Sequence, residues 1–371
     1  MAPALTITRD IEEISSKLDK TKWFSPDGIS ITIPEHQLAG AKYPDYLPVW
    51  DPRTVNQLSV GDPNYVDPGT RADPELPLLK AKGVVIKDLT PKFGSIVSGI
   101  TLTELSPEEK DELAYLIESR GVVLFTDQES FKEQKPKEAV KFAEHFGPLH
   151  IHPTAGAPKG SPEVFIVHRY KEGHSYENGS FADRVSTITW HSDISFEKQT
   201  PGVTFLTMLE GPTVGGDTLY GDTVALYESL SPVIQEKLKA LRVVHSGSHF
   251  EAVAKKNGGL VRHIPDVSVH PLVRYHPVLK KHYLYFNGGF VRGIEGLKKE
   301  ESDFVIDFLK TLQIQSADFQ ARIKWEPNTV VAWDNRRTTH TALVDFVSDQ
   351  RRHLFRLTTL AEKPFTDPED A

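Results

Sequence analysis

With 371 residues, the chain can bury one large core or two modest ones. Its 39% apolar and 25% charged content is that of an ordinary globular protein, and a net charge of −8 without a basic stripe argues against nucleic acid as a partner. The absence of cysteine excludes disulfides, thiolate metal sites, iron–sulfur clusters and a cysteine nucleophile, and no apolar run approaches the ~20 residues that cross a bilayer. Neither end carries a leader or a retention address, so no membrane association and a cytoplasmic location are expected.

Residues 1–82 read as an irregular arm that packs on the body. Tyr43-Pro44-Asp45-Tyr46-Leu47-Pro48-Val49-Trp50 has little helix or strand periodicity, yet its aromatics argue against plain disorder. Residues 83–371 read as one domain. Gly83-Val84-Val85-Ile86 opens it as a strand. Ser106-Pro107-Glu108-Glu109 starts a helix with Ser as N-cap, Pro at the first helical position and Glu three residues after the cap. Gly121-Val122-Val123-Leu124-Phe125 is a buried strand, and Ala139, Phe142, Ala143 and Phe146 mark a second helix ending near Gly147. Further strands are expected at Val164–Val167, Gly202–Leu209, Val267–Val273, His282–Phe286, Thr329–Trp333 and Leu354–Thr359. Two helices interrupt them, after Ser231-Pro232 and around Phe304–Leu312. Many short strands with a few surface helices predict a mainly β sandwich or small barrel.

Three groups of residues carry chemistry. His191-Ser192-Asp193 on an extended segment puts its two outer side chains on one side, and His340 supplies a distant second imidazole. Two histidines and one carboxylate leave Fe(II) with open positions. The competing reading is side chains satisfied by ordinary hydrogen bonds, since a chain with 15 His shows about one H-x-D by chance. In Arg351-Arg352-His353-Leu354-Phe355-Arg356, alternation puts Arg352 and Arg356 on one face of an apolar strand, where a guanidinium needs an anion. Gly215-Gly216-Asp217-Thr218 is a tight turn whose hydroxyl can complete a carboxylate cradle; an ordinary hairpin is the alternative.

Taken in order and spacing, Trp190-His191-Ser192-Asp193, Gly215-Gly216-Asp217-Thr218, Trp333-Asp334-Asn335-Arg336-Arg337-Thr338-Thr339-His340 and the Arg351–Arg356 run resemble the taurine dioxygenase family of Fe(II)/2-oxoglutarate oxygenases. The likeness is strongest to its fungal sulfonate dioxygenase branch, which shares the arm. The resemblance implies a cupin-like double-stranded β-helix, or jelly roll. It implies Fe(II) on His191, Asp193 and His340, with 2-oxoglutarate and O2 as co-substrates. Thr218 and Arg352 match positions that bind the distal carboxylate of 2-oxoglutarate, and Arg356 lies near co-substrate and substrate. His152, in Phe146-Gly147-Pro148-Leu149-His150-Ile151-His152-Pro153, matches a sulfonate-contacting histidine. Phe290 matches an aromatic wall of the substrate pocket. No catalytic residue beyond the metal ligands is implied.

Departures from the bacterial taurine pattern fall on the substrate. Ala155 stands where that pattern has tyrosine, and Thr187 where it has asparagine, which implies a roomier pocket. The expected reaction is hydroxylation of a small anionic molecule, an alkyl sulfonate, giving an aldehyde and sulfite. The same chemistry on a carboxylate, sulfate ester or amino acid is the alternative, and a β-barrel binding protein with a vestigial site is the third reading. Residues 155–189 are expected to form a lid, and a homo-oligomer, dimer or tetramer, follows from the resemblance. Asp334, Asn335 and Arg336 are expected to form a turn network that aims His340.

Overall fold

The computed structural model describes residues 24–170, 189–256, 259–346, 351–367 and 369. In the arm, β1 (Ile31–Thr32) pairs with β2 (Val49–Trp50). The body supplies β3 (Val85–Asp88), β4 (Ser95–Ser98), β5 (Val122–Phe125), β6 (Val164–Arg169), β7 (Pro201–Glu210) and β8 (Thr218–Asp222). Then come β9 (Arg242–Ser246), β10 (Val267–Pro271), β11 (Val273–His276), β12 (Lys281–Leu284) and β13 (Val291–Ile294). The last strands are β14 (Gln320–Ile323), β15 (Val330–Asp334), β16 (Thr338–Ala342) and β17 (Arg352–Leu360).

Seven strands form a large sheet in the order β3-β4-β5-β15-β7-β17-β6, and β14-β8-β16 form a smaller one. Period-two alternation assigns the faces. Val331 and Trp333 of β15, Leu124 of β5 and Leu354 of β17 meet Tyr220 of β8 and Ile323 of β14 between the sheets. Val330, Ala332, Phe125, Phe355 and Leu357 point the other way, into a core shared with the helices. Two facing sheets with one apolar layer between them are the jelly roll that the pattern of short strands predicts. Burying each large apolar side chain is worth roughly 1.5–3 kcal/mol. An arginine turned into that layer therefore needs a specific partner, and β17 turns two arginines toward it.

The longer helices are α1 (Pro107–Arg120), α2 (Pro136–Ala143), α3 (Thr223–Ser229), α4 (Pro232–Lys239), α5 (Ser248–Lys256) and α6 (Lys299–Gln315). The predicted capping box is present in α1: Ser106 Oγ accepts from Glu109 N at 3.3 Å, and Ser106 N donates to Glu109 Oε2 at 2.7 Å. α4 and α6 are the two helices expected in the second half; α3 and α5 were not expected. α3 is short and mostly buried, so it has no amphipathic period to read. α5 buries none of its residues. The single strand expected over Val267–Val273 is two strands. Leu272 breaks it, because its N–H goes to Leu241 O at 2.9 Å and its carbonyl accepts from Tyr285 N at 2.8 Å. No described helix is long and apolar enough to cross a membrane.

The arm is fastened to the body by buried charge. Arg336, in the turn between β15 and β16, reaches Asp67 of the arm at 2.6 Å, Glu118 of α1 at 2.8 Å, Asp334 at 2.8 Å and Glu362 at 3.0 Å. One guanidinium cannot neutralise four carboxylates. Burial pushes the Glu118 carboxyl well above its usual range, and the neighbouring Asp67 pushes it further. Glu118 therefore holds a proton, while Asp67 is held low: burial opposes this, but Arg336 outweighs it.

The sign follows from linkage. A raised folded-state value gives stability that is complete below the ordinary carboxylate range and lost as pH rises through the raised value. Glu118→Gln cannot ionise, so it is expected to be more stable than the parent at pH 8 by about 1 kcal/mol. That advantage should shrink at pH 4. Urea midpoints at the two pH values check this, and a variant weaker at both would contradict the protonated state.

Candidate active site

The second imidazole and the H-x-D segment are joined by backbone. His191 N donates to His340 O at 3.0 Å and His340 N donates to His191 O at 2.8 Å, an isolated bridge that brings the two ring centroids to 4.3 Å, tilted by 48°. His340 lies inside β16, opposite Tyr220 of β8, just beyond the short turn that follows β15. Asp193 enters a turn, with Ile194 at φ 38°, so the pair is not carried on a regular strand. The candidate ligand atoms of His191, Asp193 and His340 all lie within 4.8 Å of one another.

The donor set suits a divalent metal. His191 Nδ1 lies 2.8 Å from the Thr189 carbonyl, which can only accept, so Nδ1 donates and Nε2 is the nitrogen left to face a metal. Burial, then His191, pushes His340 down to about 3, which keeps that ring neutral. Burial alone would raise the Asp193 carboxyl, but Arg356, His340 and His191 more than reverse this, and it stays charged. Asp193 Oδ2 and His340 Nδ1 are buried without a hydrogen-bond partner among the described residues. Two imidazoles and one carboxylate with spare acceptor capacity fit Fe(II) with open positions.

Asn335 holds the carboxylate ligand in place: its Oδ1 accepts from Asp193 N at 3.1 Å and from Trp333 Nε1 at 3.0 Å. The turn network thus serves Asp193 through Asn335 and the arm through Arg336; the His191 bridge and β8 register set His340.

On β17, Arg352 is largely shielded from solvent, and its Nε has no partner among the described residues. Burial, then Arg169, lowers it to about 10. It lies over the Phe346 ring at 5.6 Å. The same ring packs on the Gly215-Gly216 turn, where both glycines have positive φ and a Cβ at either would meet Phe346 at 3.0–3.1 Å. The turn and the arginine are thereby brought to one aromatic. Thr218, two residues on, accepts from Trp325 Nε1 at 3.3 Å.

Arg356 pairs with Asp193 and lies over the Phe165 ring at 4.3 Å; Phe165 is its cross-strand neighbour on β6. His152 meets the same ring, centroids 4.9 Å apart. Its Nδ1 accepts from Thr154 N at 3.2 Å and Ala155 N at 3.0 Å, so the ring proton sits on Nε2. Burial above all, then His150 and Arg356, pushes His152 well below its ordinary value, and the ring is a neutral donor. Buried Arg262 fixes this segment through the carbonyls of His152 at 2.8 Å and Ala155 at 2.5 Å, and reaches Thr54 of the arm at 3.0 Å. Phe290 is buried against His191 (6.3 Å) and Phe196 (5.3 Å). Thr187 and most of the expected lid, residues 171–188, lie outside the described residues.

Sequence reasoning missed Phe165, Arg262 and Phe250, whose ring meets His152 at 4.9 Å and Phe290 at 5.7 Å, and misread Asn335. Phe165 had a signal, since it sits within a predicted strand; the other three owe their roles to partners far along the chain.

The family model described as taurine catabolism dioxygenase TauD, TfdA family, matches residues 86–358. An alpha-ketoglutarate-dependent sulfonate dioxygenase of Saccharomyces cerevisiae is 43% identical over 347 residues, 92% of this chain and 83% of its own length. An alpha-ketoglutarate-dependent dioxygenase of Penicillium expansum, cnsP, is 39% identical over 90% of both chains. The crystal structure of a taurine dioxygenase from Burkholderia xenovorans aligns with a TM-score of 0.61 at 28% identity, over 78% of this chain and 94% of its own.

Proposed function

We propose, from the premise that this chain belongs to the taurine catabolism dioxygenase TauD, TfdA family, that it oxidises an alkyl sulfonate to an aldehyde and sulfite. It is an Fe(II)- and 2-oxoglutarate-dependent dioxygenase that uses O2 on a small molecule. In this reading His191, Asp193 and His340 hold the metal, and Arg352 and Thr218 hold the distal carboxylate of 2-oxoglutarate. When bound, Fe(II) supplies the oxygen-activating chemistry of the family.

The observation that carries the substrate reading is the pairing of His152 and Arg356 on the Phe165 ring, beside Asp193. A fixed cation and a neutral N–H donor converging there suit a singly charged oxyanion. Phe290 and Phe196 exclude water from the same wall. Hydroxylation of the carbon bearing the sulfonate gives an adduct whose C–S bond breaks, releasing sulfite and leaving the aldehyde; 2-oxoglutarate leaves as succinate and CO2.

Sulfite and succinate measured together, over a panel of alkyl sulfonates, test this. Matched release is expected. Succinate without sulfite would move the reading to the same chemistry on a carboxylate, sulfate ester or amino acid, which the small Ala155 side chain also admits. Arg352→Ala is expected to raise the 2-oxoglutarate KM roughly 30-fold or more, since it removes a buried charged partner. Fe(II) binding should be unchanged, and a KM within twofold of the parent would exclude Arg352 from the cradle. The proposal includes residues 1–82 as an arm on an oxygenase domain of 83–371, cytoplasmic residence, and a dimer or tetramer, which fractionation and sedimentation equilibrium check.

A further inference from the structure

Beside the aromatic wall of Phe290 lies a cavity of about 410 Å3. Ile31, Ile33 and Trp50 of the arm line one side, and Phe250, Val253 and Ala254 of α5 line the other. Positions 250, 253 and 254 form one apolar stripe on that helix, and none of its residues is buried. Val253 is 54% exposed. The arm side is built firmly: β1 pairs with β2, and Trp50 Nε1 donates to Thr154 O at 3.1 Å.

One ring separates this cavity from the candidate active site. Phe250 lines the cavity and also meets His152 edge-on at 4.9 Å and Phe290 at 5.7 Å. It sits on a helix none of whose residues is fully buried, and its ring packs on Phe196 at 5.9 Å, so the partition between the two sides is this one side chain. The volume is that of a small-molecule subsite. Its polar neighbours are too few to hold a second anion, so the cavity suits carbon.

We propose that this cavity, built jointly by the arm and α5, is a tail subsite: it takes the apolar, non-reacting end of the substrate whose anionic head lies at His152 and Arg356, with Phe250 as the movable partition. The inference rests on the reading of that head site. It gives the arm a part in specificity and names the substrate class as an anion with an extended hydrocarbon tail.

The test is calorimetric titration under nitrogen of the full chain loaded with Fe(II) and 2-oxoglutarate. The probes are straight-chain sulfonates from ethanesulfonate to octanesulfonate, and the matching carboxylates. Once the tail passes Phe250, each added methylene should tighten binding roughly threefold to fourfold. Val253→Asp puts a carboxylate in the lining at an exposed position, and Ala254→Trp fills the space. Both should flatten the chain-length dependence while the shortest anions bind within twofold of the parent.

If carboxylates show the rise and sulfonates do not bind, the sulfonate reading falls and the subsite stands. A flat or absent response in the parent overturns the subsite, as does a rise untouched by both variants. So does a flat series in which Ala254→Trp destabilises the free protein, because the cavity would then be filled by the chain itself.

Discussion

Replacing His340 by alanine is expected to lower Fe(II) affinity by at least ~100-fold, beyond what loss of an outer partner costs. Turnover should fall below detection, with the fold intact. The reason for the intact fold is specific. His340 is held by its backbone, through two hydrogen bonds to His191 and the β16–β8 ladder, and none of these uses the imidazole. Asp193 is likewise fixed by Asn335, and His191 by Thr189. The variant thus keeps two ligands in place and removes one. Its ring also fills space beside Trp333 (5.0 Å) and Tyr220 (5.7 Å), so a modest stability loss of about 1–3 kcal/mol accompanies the change. Anaerobic equilibrium dialysis with Fe(II), beside a urea midpoint, separates the two effects. Undiminished Fe(II) binding in a folded variant would remove His340 from the ligand set.

How much of this was legible depended on whether a residue acts through its own type or through a distant partner. The grouping of His191 with Asp193 was readable from their H-x-D spacing, and the shared face of Arg352 and Arg356 from the alternation of an otherwise apolar strand. The inward face of β17 was readable from alternation, which separates Leu354 from Phe355. β16 was not: Thr338-Thr339-His340-Thr341 has no apolar alternation, and only its pairing with β8 makes it a strand. α5 was missed because its apolar stripe faces a cavity and so is too sparse to read. The role of Arg262 depends on Thr54 and His152, over a hundred residues away, and no local pattern signals such contacts.

The largest stability effect is expected from Arg336→Met, which should cost about 3–5 kcal/mol at neutral pH. That is a large share of the ~5–15 kcal/mol that holds a typical domain together. The methionine fills the volume but leaves Asp67, Asp334 and Glu362 without their cation. In the parent, Asp67 and Asp334 are held below the ordinary carboxylate range: burial opposes this, and Arg336 prevails. Their contribution is therefore present above that range and lost as pH falls through the depressed values. Without Arg336, burial raises the Asp67 carboxyl and its sign reverses, so that its contribution is retained at low pH and lost as pH rises, while Asp334 keeps its 2.6 Å hydrogen bond from His276 Nε2. The gap between variant and parent should accordingly be widest at pH 8 and narrow at pH 5, read from urea midpoints. Because Asp67 belongs to the arm and Asp334 closes the strand that leads to Asn335, the same variant should expose the arm to protease and loosen Asp193. A cost below ~1 kcal/mol, or one independent of pH, would mean that the arm is held by its apolar contacts and that this ion cluster is incidental.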